Sequence, residues 1–330
     1  MVNVVKRLIG MLHGLARVRW TLLLLLPSPF WCLGAPKPGG VALDGVPEGA
    51  AWVVHGEARQ LAALPAVQRL LRESARGGAG RAPGRLLALA RQAGVNVTSD
   101  VQRIQAMSLG DAGTVAIIDG RWDAARLLRV IQAQPGYRKL GAKGYELHGL
   151  DGRRTGESVV LRLAGRQRLL AGSTTAAVMA VADALARPGV EPDSSRTFGE
   201  MNRASPGALL VLGARDGTSL MDLVPDAAML LQAESIMAQM GRLPGNLLGV
   251  SLAGRGADET AAANMATLLG GMQAMLAFRA ASDPQWETIA RTMRVQTEGQ
   301  QVKVGFSVDQ PLAYSLLSTL LRELGRKGAL

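Results

Sequence analysis

Two histidines, a few serines and a run of glycines are the side chains outside the first 35 residues that could carry catalysis or hold a group, and their spacing predicts neither. The chain has 330 residues with three His and one Cys, and His13 and Cys32 fall within the first 35. A zinc centre draws three or four ligands from Cys, His and carboxylates. His55 and His148, in unlike contexts and without a cysteine, predict no transition-metal site. His55 is expected at a strand end and His148 on the solvent side of the strand holding Tyr145 and Leu147. A serine nucleophile needs a base and an exposed elbow. Gly249-Val250-Ser251-Leu252-Ala253 lacks the closing glycine and alternates like a strand, and Ser173 precedes a helix, where capping is the usual role. Gly77, Gly78, Gly80 and Gly84 follow no strand and lead to no Gly-Lys-Ser/Thr ending, so they predict a loop and not a phosphate cradle. No catalytic residue, cofactor or metal is expected, and the protein is read as no enzyme.

Binding chemistry is better represented. Residues 36–190 hold 21 Lys plus Arg against 12 Asp plus Glu, a net of +9, whereas 191–330 hold 12 against 14, a net of −2. Arg69, Arg72, Arg76, Arg81, Arg85 and Arg91 crowd one stretch of the basic half. Exposed guanidinium groups pair with phosphate or carboxylate, so these six are the expected contact for an anionic envelope component or membrane surface. Nucleic acid is not the expected partner, because aromatic residues make up only 4% and offer few stacking platforms. Seven of thirteen methionines lie between Met221 and Met275. Met229, Met237, Met240, Met265, Met272 and Met275 would line an apolar groove on two predicted helices, giving the alternative function of a lipid or peptide carrier.

Those residues need a scaffold, which the hydrophobic patterning supplies twice. Short apolar runs open at Trp52-Val53-Val54-His55 and at Leu209-Leu210-Val211-Leu212. In the first half Ile104–Leu109 and Thr114–Ile118 flank a Gly110-Asp111-Ala112-Gly113 turn, and Asp123 caps a helix with Leu127, Leu128 and Ile131 inward. In the second, Met229, Ala233, Ile236, Met237 and Met240 share a helical face. Leu247–Leu252 reads as a strand, and Glu259–Asn264 either as a weak second strand or as the start of the helix that runs through Met265, Leu268, Leu269, Met272 and Leu276. Each half closes on a hairpin, around Gly165 and Gly299, and then a helix, the last one with Leu316, Leu317, Leu320, Leu321 and Leu324. The expected fold is α+β, a duplicated unit of mostly antiparallel sheet with helices packed on one face. The expected boundaries are a signal peptide at 1–35, a flexible leader at 36–48, a first repeat at 49–186, a linker at 187–205 and a second repeat at 206–330.

Lys6, Arg7, Arg17 and Arg19, the run Leu22–Leu26 and the small residues after Cys32 form the pattern of an export signal. Met11 is an alternative start. The protein is expected in the periplasm or outside the cell, or tethered to the membrane if the segment stays uncleaved. Ala116-Ile117-Ile118-Asp119-Gly120-Arg121-Trp122-Asp123, Tyr145-Glu146-Leu147-His148, Leu169-Leu170-Ala171-Gly172-Ser173 and Ala263-Asn264-Met265-Ala266-Thr267-Leu268-Leu269 resemble an uncharacterised family of exported bacterial proteins. Its members carry two α+β repeats behind a signal peptide. That resemblance implies the fold and no activity; binding or scaffolding in the envelope is the functional expectation.

Overall fold

The computed structural model describes residues 43–76, 89–142, 144–151, 158–187, 198, 201, 207–220, 232–315 and 318. The segment read as a signal, 1–35, together with Arg81, Arg85, Met229 and the leucines from Leu316 on, lies outside them. Alternation of apolar and small or polar residues makes the strands. In the first half these are β1 (Trp52–Gly56), β2 (Val101–Ser108), β3 (Thr114–Gly120), β4 (Tyr137–Ala142), β5 (Tyr145–Asp151), β6 (Ser158–Leu163) and β7 (Arg168–Gly172). In the second they are β8 (Ala208–Ala214), β9 (Ala233–Leu243), β10 (Leu247–Gly256), β11 (Arg294–Glu298) and β12 (Gln301–Val308). The helices described from end to end are α1 (Ala58–Ala62), α2 (Pro65–Arg76), α3 (Ala124–Gln132), α4 (Thr175–Leu185), α5 (Glu259–Ser282) and α6 (Glu287–Thr292). Three begin at side-chain caps: Asp123, Thr174 and Asp258 accept from the backbone N–H of Arg126, Ala177 and Ala261.

All twelve strands form one antiparallel sheet in the order β11-β12-β10-β9-β8-β1-β2-β3-β7-β6-β5-β4. The chain is α+β, and its halves contribute strands in matching order: β1-β2-β3-β7-β6 in the first and β8-β9-β10-β12-β11 in the second. The first half adds the β4–β5 hairpin at its outer edge. The halves meet where β1 pairs with β8, Trp52 opposite Ala214 through Gly56 opposite Leu210.

Successive side chains point to opposite faces, and the two faces are covered differently. On one face α5 and α6 cover β8–β12 with Met265, Leu269, Met272, Leu276 and Ile289, joined by Leu64 and Ala66 from the first half. On that same face α3 lays Leu127 and Ile131 against Leu161. The expectation of helices on one face holds for these. Helix α4 is the difference: its Val178 and Val181 pack on the other face, with Val53, Met107, Ile117 and Leu170.

Two sequence expectations need correction and one alternative is decided. Residues 233–243 are strand β9, not a helix, because Ile236, Ala238 and Met240 fit alternation as well as helical spacing and β8 and β10 supply ladders on both sides. Of the two readings of Glu259–Asn264 the structure takes the helix start: the segment opens α5, since Asp258 caps it; the hairpin matching β2–β3 is β9–β10. His148 is buried, not on a solvent side, with Tyr137 Oη 3.2 Å from its Nδ1. Within the spans read as leader and linker, Leu43, Val46, Phe198 and Met201 are core residues.

Trp52 belongs to the first half yet is buried in the cluster under α5. Trp52→Ala is expected to cost about 3–5 kcal/mol and to lower a single cooperative urea transition. Two separated transitions would show that the halves unfold independently.

Candidate functional site

Strand register gathers charge on the face that α4 covers, at the ends of β1, β2, β3 and β7. Arg103 on β2 stands opposite Asp119 on β3, which stands opposite Arg168 on β7. Arg103 Nε donates to Asp119 Oδ2 (2.8 Å) and Arg168 Nε donates to Asp119 Oδ1 (2.6 Å). The Nη2 groups of both arginines also donate to Asp44 Oδ2, at 2.8 and 3.1 Å. Gln105 Nε2 donates to the Asp44 carbonyl (2.7 Å), which ties the residues before β1 to the sheet.

Burial pushes the Asp119 carboxyl up, but hydrogen bonds from Arg168 and Arg103 outweigh it and hold the pKa below the ordinary carboxylate value. Burial is likewise the largest influence on Arg103, and its bonds to Asp119 and Asp44 reverse it and raise the guanidinium pKa. Burial lowers the pKa of His55, on the same face, against the opposing pull of Glu57, whose Oε1 lies 3.3 Å from His55 Nε2.

Beside this network lies a cleft of about 670 Å³, lined among others by Glu57, Gln102, Arg103, Asp119, Arg166 and Arg168. The register shift between Val101 and Arg103 sits beside Gln102. Gly120 allows the close packing of one wall, because a Cβ there would collide with the Trp122 ring and the Asp100 carbonyl. Arg166 is exposed in the β6–β7 turn and makes no ion pair among the described residues. Charge of both signs, two amides and fixed guanidinium planes equip the cleft to hold an anionic group.

Of the arginines expected from the sequence, the four among the described residues lie elsewhere. Arg69 and Arg72 are exposed on α2, where Arg69 pairs with Glu73 at 3.0 Å and stacks 4.1 Å from the Tyr314 ring centre. Arg76 is the last residue of α2 and Arg91 is exposed beyond it. The five expected methionines among the described residues do not share one groove. Met265 and Met272 are core residues on the inner side of α5, and Met240 packs on the same cluster. Met237, three positions away on β9, faces the opposite side of the sheet, and Met275 is on the outer side of α5. Arg103, Asp119 and Arg168 were not singled out from sequence. Their one signal is a charged residue at an inward position of an otherwise apolar strand pattern.

No family model matches the chain, and no curated protein matches it. Among solved structures it is similar to crystal form III of TP0453, at 9% identity over 86% of this chain and 100% of that one, with a TM-score of 0.52. Crystal form I of TP0453 matches at 9% identity over 87% and 98%, with a TM-score of 0.50. This likeness concerns the fold alone.

Because the folded pKa of Asp119 is depressed, its pairing contributes full stability above the ordinary value of 3.8 and loses it as pH falls through the folded value. Asp119→Asn is expected to cost about 3 kcal/mol at neutral pH and to flatten the acid limb of the stability–pH curve. Parallel curves for the two proteins would remove the network from the account of stability.

Proposed function

We propose that this is an exported, non-enzymatic binding protein of the bacterial envelope whose first half takes an anionic group, phosphate or carboxylate, of an envelope component. The observation that carries the reading is the convergence of Arg103, Arg166 and Arg168 on one cleft of about 670 Å³. Asp119 fixes the planes of two of these guanidinium groups before any ligand arrives, which lowers the ordering cost of binding. Arg166 adds a cation at the rim. The +9 of residues 36–190 supports the first half as the charged partner surface, and the basic and apolar start of the chain supports export. Binding is favoured over turnover because Asp119, Arg103 and Arg168, the half-buried ionic groups of the cleft, engage one another in ion pairs.

Calorimetric titration with inorganic phosphate and with succinate tests the cleft. Vesicles of phosphatidylglycerol in phosphatidylcholine then separate a lipid headgroup from a soluble anion. Arg166→Ser is expected to weaken the anionic probe about tenfold, the scale of one charge-assisted hydrogen bond, and added salt should weaken the wild type. The double variant Arg69→Ser, Arg72→Ser should bind like wild type. Unchanged affinity in Arg166→Ser, or a loss that follows the α2 arginines, would overturn the reading.

A further inference from the structure

The ions of the cleft alternate in sign across four strands. Gly56 pairs with Ile104, so Glu57, the next residue, stands level with Arg103. Arg103 stands opposite Asp119, and Asp119 opposite Arg168. The middle of this row is balanced: Arg103 and Arg168 share Asp119 and Asp44, two cations on two carboxylates. Its ends are not. Glu57 lines the cleft and stands before α1 without capping it. Its side chain is 40% exposed, and His55 is its one ion-pair partner among the described residues. Arg166, beyond Arg168 in the β6–β7 turn, lines the cleft with no such partner among them.

His55 does not cancel the charge on Glu57. The ring is only 2% exposed, and Glu57 Oε1 lies 3.3 Å from its Nε2. A carboxylate acceptor there assigns the ring proton to Nε2 and leaves Nδ1 buried without a hydrogen-bond partner. A second proton would sit on that Nδ1, and burial holds the ring's pKa below its ordinary value. At neutral pH His55 therefore gives Glu57 a hydrogen bond and no positive charge. The cleft is left with one uncompensated carboxylate and one uncompensated guanidinium.

Given the anion site proposed above, on which this reading depends, we infer that the ligand of the cleft is a zwitterion, its anionic group held at Arg166 and a primary ammonium held at Glu57. A plain anion entering the cleft meets both residues, and the attraction of one is offset by the repulsion of the other. An ammonium on the same ligand turns that repulsion into a charge-assisted hydrogen bond. A quaternary ammonium brings the charge but no N–H to donate. Phosphoethanolamine, free or as a lipid headgroup, and ω-amino acids carry the required pair of charges. Three strand spacings put the Glu57 and Arg168 backbones about 14 Å apart, so ligands of two lengths enter the test.

Calorimetry on the full chain compares O-phosphoethanolamine with ethyl phosphate, and 6-aminohexanoate with hexanoate, pairs that differ by the ammonium alone. At least one zwitterion should bind about tenfold tighter than its plain counterpart, the scale of one hydrogen bond between charged groups. Glu57→Gln keeps the oxygen that faces His55 and should leave the melting temperature in place. It should weaken the zwitterion about tenfold and leave the plain anion bound as before or tighter, whereas Arg166→Ser should weaken both. Vesicles of phosphatidylethanolamine in phosphatidylcholine, set against phosphatidylcholine alone, separate the sources. Binding to the mixed vesicles that is lost in Glu57→Gln assigns the zwitterion to a lipid headgroup; binding of the soluble zwitterion without the vesicles assigns it to a free solute. Plain anions that bind as well as the zwitterions and still depend on Arg166 overturn this inference while the anion site stands. A zwitterion preference that survives Glu57→Gln overturns it too. Binding of neither kind, or binding indifferent to Arg166→Ser, overturns the anion site and this inference together.

Discussion

Everything in this molecule hangs on the antiparallel pairing of β1 with β8, from Trp52 opposite Ala214 to Gly56 opposite Leu210. Without it each half would end in an exposed strand edge with unpaired backbone groups. With it, two similar sheets become one, and the register decides which core each side chain enters. Trp52 joins the cluster beneath α5, while Val53, its neighbour, joins the one beneath α4. A slip of one residue would exchange them and send both to the wrong face.

The charged cleft inherits its geometry from that register. Arg103, Asp119 and Arg168 face one another because β2, β3 and β7 are successive neighbours in the sheet, not because they are close in the chain. Half-buried ion pairs of this kind are costly to desolvate and weak evidence for stability by themselves. Their effect is positional. Asp119 holds two guanidinium groups, and Asp44 bridges the same pair from the segment that leads into β1. Residues 43–50 are therefore part of the fold; Leu43, Val46 and Ala50 are buried with them.

The two halves also differ where their connections differ. After β7 the chain enters α4 on one face, whereas after β12 Leu312 and Ala313 join the opposite core, with Leu64 and Ala66. Asp309 accepts from the Leu312 N–H, and Gln310 accepts from the Ala66 N–H, which fixes that turn of chain against α2. The second half thus recruits a piece of the first to complete its core.

The α+β class, the closing hairpins around Gly165 and Gly299, the cap at Asp123 and the strands with clean alternation were determined by sequence alone, because each depends on contacts a few residues apart. Residues 233–243 were not legible. Alanine, methionine and isoleucine at spacings of two, three and four satisfy a strand and a helix alike, and only the ladders from β8 and β10 resolve the ambiguity. Asp119 and its arginines were hidden for a related reason: their partners lie 16 and 49 residues away, and pairing at that distance leaves no local period. The arginine-rich stretch after Leu64 was conspicuous because it is local, yet the guanidinium groups that converge come from separate strands. Tertiary structure alone decided which charges meet, since strand order, unlike strand identity, is set by the faces that must be buried together.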